Sequence, residues 1–138
     1  MTDLYPGLAL GDVLIPEQAS ILPFKCAASV AKGDPVQFNT HTAGELPSVS
    51  PINTDGGVAD SIGIALKAGS TGDIIPVCVR GVVKVKACGA ITGGLQITGD
   101  ITGRVDAAAT PTKTIGRALQ TFAAADEGLA MINCENSS

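Results

Sequence analysis

"SIGIAL" occupies residues 61–66 and "TIGRAL" occupies residues 114–119. The two hexapeptides share Ile, Gly, Ala and Leu at the same places, each behind a hydroxyl residue, 53 residues apart. Upstream of the first stands AKGDPVQF (31–38), and upstream of the second stands ITGGLQIT (91–98). Both read as a glycine turn, around Gly33 and Gly93, that opens a short alternating strand. Here the offset is 60, so the first copy holds the longer connection, residues 39–60, rich in Thr, Ser, Pro, Asn and Gly. Such a segment reads as an exposed loop. Downstream, KAGSTGDIIPVCV (67–79) faces QTFAAADEGLAMINC (120–134). Each is a small-residue loop that ends in an acid and leads into an apolar strand.

The chain therefore divides into two pseudo-equivalent halves, about 31–79 and 91–134. Two copies are too few for a solenoid. A closed or nearly closed β structure suits them, because closure removes strand edges that would otherwise pair with other chains. Within it, PVCVRGVVKVKA (76–87) is the clearest strand. Val79, Gly81, Val83, Val85 and Ala87 share one face; Arg80, Val82, Lys84 and Lys86 share the other. Gly81 marks a bulge or bend. Ile115, Ala118, Leu119 and Phe122 also fit a helical spacing. The matching first copy carries Gly63, Gly69 and Gly72, which do not suit a helix, so residues 114–119 are assigned to a strand, with room for one helical turn at 121–126.

Composition points the same way. Hydrophobic residues make up 45% and aromatics only 3%, with 17 Gly and 8 Pro. The core must be built of Val, Ile, Leu and Ala between many turns, an all-β pattern. Residues 1–20 lie outside the repeat and form an apolar arm broken by Pro and Gly. Residues 21–138 form the β domain.

Little chemistry is legible. The net charge of −4 opposes a nucleic-acid partner, which requires a basic face. No run of about 18 apolar residues offers a membrane span, and the N-terminus lacks the basic start of a secretory signal. Cys26, Cys78, Cys88 and Cys134 show no C-x-x-C spacing, and His41 is the sole histidine, so no metal site is expected and the thiols are read as reduced. No catalytic residues and no cofactor are expected. Asp residues stand mostly at turns, where they accept local amide hydrogen bonds, and GSTGD (69–73) lacks the lysine of a phosphate-binding loop. Lys84 and Lys86 alternate along a strand rather than sit at a hairpin tip. They read as a solvated or subunit-facing row, although a carrier-type or small-molecule-binding β domain is the alternative reading.

The ordered set SVAKGDPVQF (29–38), SIGIALKAGSTGDIIPVCVRGVVKVKA (61–87), AITGGLQIT (90–98) and TIGRALQTFAAADEGLAMI (114–132) resembles the Gly/Ala-rich capsid decoration, or cement, proteins of tailed phages. The resemblance covers roughly residues 29–132. It implies a small β-barrel or β-tulip domain, assembled as a homotrimer on the outer surface of an icosahedral head, bound to the major capsid protein after synthesis in the host cytoplasm, with no catalysis and no cofactor. The expected contacts to capsid or neighbouring subunit are Leu4, Tyr5, Pro6, Leu8 and Leu10 of the arm, with Arg80, Lys84 and Lys86 of the long strand.

Overall fold

The structure is a computed structural model, and it describes residues 2–39, 43–53, 61–109 and 114–133. Among the described residues nine strands carry the fold: β1 (Ser20–Cys26), β2 (Pro35–Phe38), β3 (Ser48–Pro51), β4 (Ser61–Ala65), β5 (Ile74–Lys86), β6 (Gln96–Gly99), β7 (Val105–Ala107), β8 (Gly116–Ala118) and β9 (Glu127–Asn133). Among the described residues the only helical element is a 3₁₀ turn at Pro16–Gln18.

The strand order β1-β3-β2-β4-β5 returns to β1 through a second β1–β5 pairing, which closes a five-stranded barrel. The order continues β5-β9-β8-β6-β7, and a parallel bridge from Val105 to Ala87 closes a second ring. The same bridge joins Cys26 to Val49 in the first barrel. β5 belongs to both. Its first part pairs with β1, from Lys25–Ile74 to Ser20–Arg80; its last part pairs with β9, from Arg80–Asn133 to Lys86–Glu127. One strand thus ends the first copy and begins the second. Its bend at Gly81 has φ 145°, where a Cβ would press on Ala19 and the Cys78 sulfur.

Hydrogen bonds fix the equivalence. Gly33 donates to Ala65 O and Gly94 to Ala118 O; Val30 and Gly69 exchange bonds, as do Ile91 and Phe122. The offset is therefore 61 ahead of the long connection and 53 after it, and Gly33 matches Gly94, not Gly93. Both matched glycines sit at positive φ, 91° and 90°, and that left-handed turn is what requires them. The halves also extend further than 31–79 and 91–134, because β1 and the last part of β5 are equivalent. The connection at 39–60 is not all loop. It contains β3, the counterpart of β7, which short length and Ser/Pro content concealed. His41 lies outside the described residues.

Each barrel has its own core. Phe24, Val36, Val49, Ala65, Ile75 and Val77 fill the first. Val85, Ile97, Val105, Ala118, Phe122 and Ile132 fill the second. Most sites conserve type, as in Val36/Ile97 and Ala65/Ala118, but one pair trades volume. In the first barrel Gly69 lies under Ile75, where a Cβ would come 2.7 Å from Cγ2; in the second, Phe122 lies over Gly128, where a Cβ would come 2.8 Å from Cε1. Large and small have changed places between equivalent positions, so both interiors stay filled, as close packing demands.

The hexapeptide glycine now has a cause. A Cβ on Gly63 would strike the carbonyl oxygen of Cys78, and one on Gly116 would strike that of Met131. These carbonyls are equivalent, on the antiparallel neighbour of β4 and of β8. Residues 121–126 form a tight turn rather than a helical one. Asp126 accepts the Ala123 amide as Asp73 accepts that of Ser70, and this capped turn feeds β9 directly. Within it Ala125 has φ 68°, where the first copy has Gly72 at 94°.

Two expectations follow for urea unfolding. Gly116→Ala lowers stability by roughly 1–3 kcal/mol through overpacking against fixed backbone. Ala125→Gly raises it by up to about 1 kcal/mol by relieving the left-handed strain, offset in part by glycine's larger chain entropy.

Candidate functional site

The arm folds onto its own second barrel. Leu4 donates to Glu127 O, Glu127 to Thr2 O, Gly11 to Lys84 O, Lys84 to Asp12 O and Leu14 to Val82 O. These are strand-like bonds, with bridges Asp3–Glu127 and Val13–Val83. Leu4 and Val13 pack against the second core. Leu10 lies on the Gly33 turn of the first barrel, where a Cβ would come 2.8 Å from its Cγ, and Lys32 donates to the Asp12 carboxylate at 2.6 Å. One strap therefore touches both barrels. Proline and glycine keep it from coiling on itself, which leaves its amides free to bond to β5 and β9.

Lys84 holds the strap. Its side chain is 1% exposed, and its Nζ contacts the Asp3 carboxylate at 2.6 Å and donates to Tyr5 O at 3.0 Å and Leu8 O at 2.6 Å. Glu127 Oε1 lies 3.9 Å away. An ammonium has three donors, and three acceptors from the arm receive them. Gln120 adds a second fastening: its side-chain amide donates to Leu4 O at 3.1 Å while its Oε1 accepts the Leu129 amide at 2.7 Å. The pseudo-equivalent of Lys84 in the first barrel is Pro23, so this lysine belongs to the strap and not to the repeat.

Lys84 is thus not on a solvated or subunit-facing row, and period 2 alone was misleading. Alternation tells which face a side chain takes, not what covers that face. Arg80 is exposed and Lys86 half-buried. Of the arm residues, Pro6 is exposed while Leu4, Tyr5, Leu8 and Leu10 are half-buried. Reading residue types along the chain missed Asp3, Asp12, Lys32 and Gln120. Their partners lie 20 to 116 residues away, so no local spacing announces them.

Among the described residues Cys26 and Cys88 are free thiols, and the Cys78 thiol donates to Arg80 O at 3.3 Å. Burial pushes the Cys26 and Cys88 thiols up, away from thiolate chemistry. Cys88, Asp100 and Asp106 bring ligand atoms within 4.8 Å of one another, but Asp100 already accepts the Thr102 hydroxyl and amide.

The strap has a pH dependence. The hydrogen bond from Lys84 holds the Asp3 carboxyl below its ordinary value, and that from Lys32 does the same for Asp12. A depressed carboxyl adds stability above its unfolded value, about 3.9, and that stability is lost as pH falls through the lower folded value. Hydrogen exchange is expected to show the Gly11, Leu14 and Lys84 amides losing protection in acid before the barrel amides do. Asp3→Asn together with Asp12→Asn should abolish that early step. Lys84→Met should speed exchange at Gly11 and Leu14 at least tenfold at neutral pH.

The family described as phage cement protein matches residues 15–133, both barrels without the first fourteen residues of the arm. No curated protein matches the chain. Among solved structures the fold is similar to the head fiber gp8.5 N base of bacteriophage phi29, at 15% identity and a TM-score of 0.60, over 88% of this chain and 99% of that one. At that identity the likeness concerns the fold alone.

Proposed function

The chain belongs to the phage cement protein family and its role is capsid decoration; from that premise we propose that it sits on the outer surface of an icosahedral head, binds the major capsid protein, assembles as a homotrimer and performs no catalysis. The family match across both barrels carries the reading. The fold suits it physically. Among the described residues the two closed barrels leave no long free edge to pair at random, and the strap ties them together. The interior is filled mainly by aliphatic side chains, with Phe24 and Phe122 among them, and the deeply buried Lys84 is spent on holding the strap.

Contacts to the head are assigned to exposed or half-exposed groups: Tyr5 and Pro6 on the outer side of the strap, with Arg80 and Lys86 on β5. Such cations steer and orient docking more than they hold it. Leu4, Leu8 and Leu10 serve the same surface indirectly, by holding the strap in shape.

The test is to add the purified chain to heads that lack it, image them, and follow genome release on heating. Density outside the shell and release at a higher temperature are expected. Absence of binding, or density on the inner side, would overturn the reading. Arg80→Glu with Lys86→Glu should lower occupancy, with the largest loss at low salt.

A further inference from the structure

The two barrels of the chain are joined head to tail. Outward-facing Ile64 and Cys78 of the first barrel are fully buried and pack into the core of the second. Ser61 Oγ lies 3.0 Å from Thr98 Oγ1 and accepts the Gly99 amide at 3.0 Å. Gly99 sits so close to Pro35 and Ile52 that a Cβ would come 2.8 and 2.6 Å from them. So the end of β6, Thr98–Gly99, is a plug seated on Ser61, Pro35 and Ile52, and the second core covers the neighbouring Ile64 and Cys78 of the same outer face, the socket, whose far end at Arg80 is exposed.

The internal repeat carries that socket onto the second barrel. The offsets of 61 and 53 take Pro35, Ser61, Gly63, Ile64, Cys78 and Arg80 to Gln96, Thr114, Gly116, Arg117, Met131 and Asn133. Those six residues line one open cleft of the second barrel. The same offset takes the plug, Thr98–Gly99, to Gln37–Phe38, and Phe38 is 56% exposed. A two-fold arrangement would bring equivalent faces together. Here one socket is filled within the chain and its equivalent is an open cleft, while the equivalent plug residue Phe38 rests one edge of its ring on Phe24, centroids 5.9 Å apart, and leaves the rest exposed. A head-to-tail contact of this kind repeats until it closes a ring or runs on as a filament.

We infer that the Phe38 end of β2 in one copy docks into the Gln96–Arg117–Met131 cleft of the next copy, and that this contact closes the oligomer. The occupant is a second copy of this chain, because the equivalent socket already holds the equivalent plug. The substitutions across the repeat fit a contact made between soluble molecules. Ile64 becomes Arg117, Cys78 becomes Met131, and the plug residue Gly99 becomes Phe38. Arg, Met and Phe are the types enriched where folded proteins meet. The ring size rests on the homotrimer reading: three copies place six barrels around the axis.

The test uses the full chain carrying Phe38→Cys with Met131→Cys, each single variant as background, and mild oxidation at high protein concentration. Thermal midpoints are checked against the parent, and light scattering is run on the parent and on Arg117→Glu, an exposed site that serves if the cysteine variant does not fold. A cross-linked ladder that ends at the parent's oligomer, seen only with both cysteines, is expected, together with an Arg117→Glu variant that is a monomer. A parent trimer with no such cross-link, or one that Arg117→Glu leaves intact, overturns the docking and leaves the homotrimer reading standing. A cross-link in an oligomer of another size supports the docking and overturns the trimer. A parent that stays monomeric overturns both.

Discussion

The shared strand β5 is the constraint on which the rest depends. A strand of thirteen residues, Ile74–Lys86, runs through both barrels. Its first part faces one core with Ile75, Val77 and Val79, and its last part faces the other with Val83 and Val85. No linker separates the copies, so neither can turn freely against the other. That rigidity lets a few contacts at the seam, such as Ser61 with Thr98, set the whole geometry. It also explains Gly81: the strand must bend where it passes from one barrel to the next, and the space beside it is already taken by Ala19 and Cys78.

On this frame the arm is an addition. It breaks the repeat at Lys84, which has a proline counterpart, and it draws its fastening from groups scattered over the chain. A buried lysine is costly unless its donors are met. Here the arm supplies the carboxylate and two carbonyls, so lysine and arm each require the other. The arm, in turn, spans from the Lys32–Gly33 turn to β9, which makes it a brace across the seam as well as a cover for the second core. For a protein that must keep one shape on a surface repeated many times, a brace of this kind matters more than a pocket.

The repeat also records how a duplicated barrel diverges. The turn glycines Gly33 and Gly94 and the hexapeptide glycine stay where backbone geometry leaves little choice, whereas Gly72 gives way to Ala125 in the left-handed region. Core positions drift together, as Gly69/Ile75 and Phe122/Gly128 do, because only their joint volume is constrained. Outer positions change character altogether, from Ile64 to Arg117, according to whether the face is covered by the same chain or left open.

Read along the chain, the residues themselves determined that the fold is all-β and that it is built twice, in halves of about 31–79 and 91–134; that the halves share β5 came from the strand pairing. Period-2 alternation and turn glycines are local signals, and each copy confirms the other. Short strands were harder. β3 is four residues of Ser, Val and Pro, too few for a pattern, and it was hidden in a connection whose length masked the match to β7. The one-residue slip at Gly93 arose because two adjacent glycines satisfy the same turn signal, and only the hydrogen bond from Gly94 to Ala118 decides between them. What covers a face was decided by tertiary structure alone. Lys84 and Arg80 share a strand face and the same spacing, yet one is sealed under the arm and the other is exposed. The reason is that alternation is a property of one strand, whereas burial depends on groups, like Asp3 to Lys84, that meet across 81 residues of chain.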